Sequence, residues 1–204
     1  MLDLREYCEN MPLTGTSSKE LLKKIRSEFD YLRQRQLLED SAIHATAVIE
    51  PDCLVGRGVS VGPYSYVRGG SVLDDGCIVG HCCEVARSYI GPNSRITHKV
   101  TMADCFVGNH VNIGALVSLS PYSIFEIKTF CESGKELIAR PVLLGDRSIV
   151  GSNCSLGPNL FIGTDCVIYP NLVMANRIIE SRKVIKASNT SEALKYSIIC
   201  GPFK

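Results

Sequence analysis

Two side chains stand out for the chemistry they could carry, His98 and Arg68. An imidazole titrates near neutral pH and can take a proton from an attacking amine or hydroxyl. A guanidinium offers a planar fork of donors that matches phosphate oxygens. Each has a plainer reading too: His98 as a solvent-facing corner histidine, Arg68 as a surface arginine. Asn112 reads equally as a turn residue, since asparagine tolerates turn conformations. His81 and His110 read as exposed turn residues.

Ten cysteines raise two further possibilities, a disulfide framework and a zinc site. The chain of 204 residues is too long for a small stapled scaffold, and its first ten residues lack a signal-peptide core. Cys82 and Cys83 are adjacent, and no CxxC spacing occurs. The pattern of the whole chain accounts for half of the cysteines without either.

That pattern is a six-residue repeat. Large aliphatics recur at Ile43, Ile49, Val55, Val61, Val67, Leu73, Val79 and Val85. One residue is then dropped, and the frame resumes at Ile90, Ile96 and Met102. Another is dropped before Val107, Ile113 and Leu119. After an interruption the frame returns at Leu144, Val150, Leu156, Ile162 and Ile168. A period of six fits neither a helix nor a two-sided strand. It fits short strands joined by sharp turns, three strands to a triangular coil of eighteen residues. The expected fold is therefore all-β, a parallel β-helix. Glycines that follow the aliphatics, such as Gly62 and Gly80, are expected at corners with positive φ. A second inward position should lie four residues after each aliphatic and hold a small side chain. It reads Ala47, Cys53, Val59, Ser65, Ser71, Cys77, Cys83, Ser94, Val100, Val111, Val117, Ser148, Cys154 and Cys166. Five cysteines are thus expected as buried free thiols, which favours a reducing compartment. Leu160 and Leu172 depart from the small-residue rule.

Three segments flank or interrupt the repeat. Residues 17–40 read as an amphipathic helix, with Ser17 and Glu20 as a capping box and Leu21, Leu22, Ile25, Phe29 and Leu32 as its apolar stripe. Lys23, Lys24 and Arg26 should face solvent, and the helix should pack on the end of the prism. Residues 120–142 form an insert, expected as a hairpin or protruding loop. The organisation is a helical segment at 1–40, the β-helix at 41–180 and a tail at 181–204. In the tail, residues 191–196 are expected as a helical turn and 198–199 as a short strand.

Composition bounds the function. Lys and Arg number 22 against 21 Asp and Glu, which speaks against a general nucleic-acid binder. No apolar run is long enough to span a membrane. The expected location is the cytoplasm. A zinc-dependent carbonic anhydrase, a class that shares this fold, would need three histidines meeting at a subunit boundary, two of them close in sequence. His81, His98 and His110 lie 17 and 12 residues apart, neither a whole coil, so no metal site is expected.

Residues 61–119, which include VGPYSYVRGG, VGHCCEVARSYIG, THKVTMADCFVG and VNIGA, resemble a known family. It is the acetyltransferase domain of the bifunctional N-acetylglucosamine-1-phosphate uridyltransferase/glucosamine-1-phosphate acetyltransferase, with its short stand-alone relatives. Both one-residue slips fall where that family has them. The resemblance implies left-handed winding, against the usual right-handed crossover. It implies a homotrimer, acetyl-CoA as co-substrate and an amino-sugar phosphate or nucleotide sugar as acceptor. By that resemblance His98 is the general base and Arg68 binds the substrate phosphate. Asn112 contacts sugar and acyl group, and Ala115 lies near the thioester. Glu84 contacts substrate or orients a neighbour, and Tyr122 is the surviving substrate-side tyrosine. Several positions depart from the family. Its second phosphate-binding residue, a lysine, is Ala86, and a substrate-binding tyrosine is Thr101. Leu116 and Pro121 lie in a rewritten GALVSLSPYS stretch. These departures raise an alternative: a β-helix that kept the fold and lost the reaction, serving as a scaffold or regulatory protein.

Overall fold

The computed structural model describes Lys23, Arg26, Ser27, residues 40–187 and the backbone of Tyr196–Cys200. Among these residues the architecture is a parallel β-helix with three walls. The first wall runs from Ala42–Ile43 through Ser60–Val61, Ile78–Val79, Arg95–Ile96, Asn112–Ile113, Ile149–Val150 and Val167–Ile168 to Lys183–Ala187. The second holds Val48–Ile49, Tyr66–Arg68, Glu84–Ala86, Thr101–Ala103, Ser118–Leu119, Ser155–Leu156 and Val173–Met174. The third holds Leu54–Val55, Val72–Leu73, Tyr89–Ile90, Cys105–Val107, Val142–Leu144, Leu160–Ile162 and Arg177–Ile179. All these pairings are parallel, and Tyr196–Cys200 closes the first wall with one antiparallel pairing. The tail strand expected at 198–199 thus forms, longer than anticipated. The helical turn expected at 191–196 begins among residues outside the described set.

The register shows how the slips work. Ala42, Ser60 and Ile78 pair at intervals of one eighteen-residue coil, but Ile78, Arg95 and Asn112 pair at seventeen. A third short coil joins Val167 to Val184. The aliphatic series fills the prism, from Val61 at 1% exposed to Ile90 and Ile162 at 0%. The small positions do the same from Val59 to Cys166, while Ala47 and Cys53, at the open end, are partly buried. Leu160 and Leu172 are buried as well. The slips bring Ser88 and Cys105 into the same inward row, so Cys105 joins the five thiols expected there. No disulfide joins the described cysteines, and Cys82 and Cys131 are exposed.

The glycines after the aliphatics do something other than expected. None of those described has positive φ; that conformation falls two residues later, at Tyr64, Cys82, Lys99 and Leu116 along one corner. The glycines are needed for close approach instead. A Cβ on Gly62 would lie 2.6 Å from the Gly80 carbonyl oxygen of the next coil.

The insert is not a hairpin. It forms helix α1 (Ile124–Ser133), which stands clear of the body with no buried residue. Ser123 Oγ accepts from Glu126 N at 3.2 Å, and the Glu126 carboxylate accepts from Ser123 N at 3.0 Å. This is a capping box, and Gly134 at φ 66° ends the helix. Arg140 N donates to Pro121 O at 2.9 Å and closes the excursion before the third wall resumes at Val142.

Most of the helix expected at 17–40 lies outside the described residues; Lys23, Arg26 and Ser27 are helical. Lys23 is exposed as expected. Arg26 is not: it is half-buried and donates through Nη1 to Gly70 O at 2.5 Å.

Candidate functional site

The second wall and the corner that leads into it carry most of the candidate residues. His98 lies at that corner, three residues before the strand Thr101–Ala103. Its carbonyl accepts from Leu116 N at 2.9 Å, which sets Ala115 on the next coil of the same corner. His81 sits one coil to the other side. The rings of His81 and His98 stack with centroids 4.2 Å apart, tilted by 30°. Seventeen residues therefore are a whole coil here, because the intervening coil is one of the short ones. The expectation that no two histidines lie a coil apart is corrected by this pair. His110 is on a different corner, where its N–H bonds Pro92 O at 2.9 Å. No cluster of three or more possible metal ligands occurs among the described residues.

His81 N donates to His98 Nδ1 at 3.4 Å, a long bond. In the tautomer this bond favours, Nε2 carries the proton. Acceptance of a proton at Nε2 requires the ring to move its own proton to Nδ1, which breaks the His81 bond. His98 is exposed and the bond weak, so the cost of release is small.

Arg68 ends its strand at the far side of the second wall and pairs with Glu84 at 2.8 Å. Its guanidinium carbon lies 5.6 Å from the centre of the Tyr66 ring. The Tyr66 hydroxyl donates to Glu50, whose other oxygen accepts from Gly69 N at 2.7 Å. These two bonds, from Tyr66 first and Gly69 second, hold the Glu50 carboxyl below its usual range, and the bond to Glu50 pushes the Tyr66 phenol up. Tyr66 and Glu50 are the members of this cluster that sequence reasoning missed. Tyr66 was signalled by the period of two that puts it on the face of Arg68. Glu50 was signalled by its spacing of one coil from Arg68.

Arg68 and His98 border the same wall without touching. Arg68 registers with Ala86 and then Ala103, so about two strand spacings, or ~10 Å, separate it along the axis from the coil of His98. Ala86 is 4% exposed and offers no cation. Arg87 does not replace it. It leaves the strand at φ 45° and grips Asp104 through Nε at 3.1 Å and Nη2 at 2.7 Å. Tyr122 is half-buried, two residues after Ser120, and the hydrogen bonds to Asp104 chiefly raise the pKa of Arg87. Asn112 is half-buried on the first wall, beside Arg95 and Ile149. Within one chain, His98 and Ala115 are thus neighbours, Arg68 and Glu84 are in contact, and Asn112 faces away from both groups.

The architecture defines a parallel β-helix of six-residue repeats with a polar second wall. The chain belongs to the family of the GMPPB C-terminal domain, whose family model matches residues 34–138, just over half of its length. Among curated proteins it is similar to the bifunctional protein GlmU of Nitrosomonas eutropha, 33% identical over 132 residues, covering 61% of this chain and 28% of that one. It is also similar to GlmU of Desulfitobacterium hafniense, 31% identical over 151 residues, covering 63% and 33%. The matched stretch thus spans about a third or less of these relatives. A solved structure with a similar fold is perosamine N-acetyltransferase from Caulobacter crescentus, in complex with CoA and GDP-perosamine. It is 19% identical, with a TM-score of 0.47, over 95% of this chain and 72% of that one. Among the described residues no helix is long and apolar enough to cross a membrane.

Proposed function

We propose that this chain is an acyl-CoA-dependent transferase, most simply an acetyltransferase, acting on an amino-sugar phosphate or a nucleotide-linked amino sugar. The observation that carries this reading is the corner where His98 and Ala115 occupy adjacent coils, with Arg68 across the same wall. The acceptor amine or hydroxyl attacks the thioester carbonyl carbon. The new bond to nitrogen or oxygen forms, the carbon–sulfur bond breaks, and CoA leaves as thiolate. His98, switched to its Nδ1–H tautomer once the His81 bond to Nδ1 is released, takes the acceptor's proton at Nε2 and passes it to the departing sulfur. Arg68 holds the phosphate, which requires the part-exposed Glu84 to yield its hydrogen bond or turn to the sugar. Tyr122 and Asn112 bind the acceptor, and Asn112 serves a site lined by a neighbouring copy in a homotrimer. Free buried thiols support a reducing compartment, the cytoplasm. Isothermal titration with acetyl-CoA tests the donor. Saturable heat at millimolar ligand or below supports the reading, and none there removes its donor.

One observation favours a second reading, a β-helix that has lost the reaction and serves as a scaffold or regulatory protein. The cationic position beside Arg68 is a buried alanine, and both nearby arginines are engaged by carboxylates. Binding of a nucleotide sugar without any turnover of acetyl-CoA would select it.

A further inference from the structure

Arg68 stands between two coils that each present a glutamate. Residues in a strand alternate between faces, so Tyr66 and Arg68 share the outward face of the second wall. Glu84 registers with Tyr66 on the next coil. Glu50 follows Ile49, which registers with Val67, so it lies beside Arg68 on the coil before. Each step between coils is ~4.8 Å. The two glutamates are held differently. The Glu84 carboxylate accepts from Arg68 Nη1 at 2.8 Å and is 41% exposed, so it is free to swing aside. Glu50 has a hydrogen bond on each oxygen, from the Tyr66 hydroxyl and from Gly69 N at 2.7 Å. Both bonds favour its charged form, and Arg68 adds its attraction. Turning Glu50 away would break both bonds, so it is a fixed negative charge beside the guanidinium.

The other described charges at this end of the wall do not offset Glu50. Ala86 registers with Arg68 on the next coil and has no charge to offer. Arg87 is taken by Asp104 at 2.7 Å. Arg26 Nη1 and Asp52 Oδ2 reach Gly70 together, 3.1 and 3.3 Å from the place a Cβ would take there. Among the described residues Arg26, Arg68 and Arg87 thus each have a carboxylate beside them, and Glu50 is a further one. This bears on the kind of phosphate that Arg68 can hold. A monoester carries about −1.5 to −2 at pH 7, because its second ionisation falls near about pH 6. A phosphate substituted on two sides, as in a phosphodiester or the diphosphate of a nucleotide-linked sugar, has no second ionisation and carries a single charge per phosphorus. Next to Glu50 and Glu84 the additional charge of the monoester meets repulsion.

We propose that Glu50, held by Tyr66 and Gly69, is a specificity-determining residue: with Glu84 it makes the Arg68 site accept a singly charged phosphate, of the kind that links a sugar to a nucleotide, and reject the doubly charged monoester. This deepens the transferase reading and rests on its assignment of Arg68 to the phosphate. Of the two acceptor classes named there, it selects the nucleotide-linked amino sugar. Tyr66 is a positioning residue that acts through Glu50.

Titration of the full chain with an amino-sugar 1-phosphate, its methyl phosphodiester and the UDP-linked form of the same sugar separates charge from the rest of the ligand. At about pH 8 the monoester is dianionic. The methyl group brings no nucleoside contact, so the comparison of diester with monoester reads charge. The unaltered chain should bind the methyl diester on the order of tenfold tighter than the monoester, and the UDP-linked sugar at least as tightly as the diester. Glu50→Gln, which keeps an oxygen for Gly69 N, should shrink the diester-to-monoester ratio several-fold by tightening the monoester. Tyr66→Phe, which frees one Glu50 oxygen, should shrink it less. Glu132→Gln on helix α1 removes the same charge at a distance and should leave the ratio as it was. The proposal is overturned if the unaltered chain binds the monoester as tightly as the diester, or if Glu50→Gln leaves the ratio unchanged. Failure of the underlying reading looks different: no ligand of the three binds, or Arg68→Ala weakens none of them, and the proposal then falls with it.

Discussion

His81 and His98 stack with their rings tilted by 30°, 4.2 Å between centroids, because the coil joining them is one residue short of eighteen. The His81 main chain holds His98 Nδ1, and the His81 ring supports its face. Replacing His98 by Ala should lower kcat by about 10²–10⁴, the usual share of a general base. His81→Ala keeps the main-chain N–H and should cost far less. Steady-state kinetics of both variants checks the order of effects.

Arg68 and Glu84 form an ion pair with both side chains about two-fifths exposed, 43% and 41%. Such a pair contributes at most about 1 kcal/mol to stability. Arg68→Ala should therefore barely move the melting temperature while weakening binding of the phosphate-bearing acceptor. Calorimetry and titration on one sample separate the two effects.

Arg87–Asp104 and Arg147–Asp165 share a bidentate geometry and differ in burial. The Asp104 side chain is 4% exposed and that of Asp165 34%. Arg87→Ala leaves a buried carboxylate without its cation and should destabilise by about 2 kcal/mol, less than a fully buried pair because Arg87 itself is part-exposed. Arg147→Ala should cost under about 1 kcal/mol. Urea unfolding of the two variants gives the comparison.

The buried thiols make the fold sensitive to alkali. Burial pushes the thiol pKa of Cys83, Cys105, Cys154 and Cys166 up. The folded state then holds protons that the unfolded chain releases above about pH 8.5, so stability is full below that value and falls as pH rises toward the folded values. Urea midpoints at rising pH should drop, and Cys105→Val should flatten the drop. At neutral pH Cys82 and Cys131 should react with iodoacetamide while those four do not, as peptide mass mapping would read.

Gly62→Ala drives a Cβ to 2.6 Å from the backbone of the next coil and should cost about 1–3 kcal/mol. Gly58→Ala meets nothing within 4 Å but sits at φ 62°, so it should cost about 1–2 kcal/mol from the backbone alone. Restoring stability by Gly58→Asn, which tolerates that conformation, and not by Gly62→Asn would separate the two causes in thermal melts.

The walls were legible in sequence because a narrow prism forces one residue type at each inward position. Ser65, Cys83 and Ser148 could be read as buried from spacing alone. The corners were not legible. Their left-handed residues include Tyr64, Cys82, Arg87 and Leu116, types that do not advertise positive φ, while the glycines beside the aliphatics are required for close approach. Helix α1 does carry its signals in the sequence, Ser123 with Glu126 and then Gly134. The histidine stack was hidden by counting eighteen residues across a coil that has seventeen. The contact of Arg26 with Gly70 O was invisible because a charge off the apolar stripe ordinarily meets water. In the site, Arg68 and Glu84 could be singled out by resemblance. Their mutual pairing and the Tyr66–Glu50 support needed coordinates.

Acceptor-dependent release of CoA from acetyl-CoA tests the functional reading most directly, run over amino-sugar phosphates and nucleotide-linked amino sugars with the unaltered chain and His98→Asn. At least one acceptor should accelerate release, and His98→Asn should slow it by about 10²–10⁴. Release that no acceptor raises above background, or that His98→Asn leaves unchanged, would contradict catalysis at this corner.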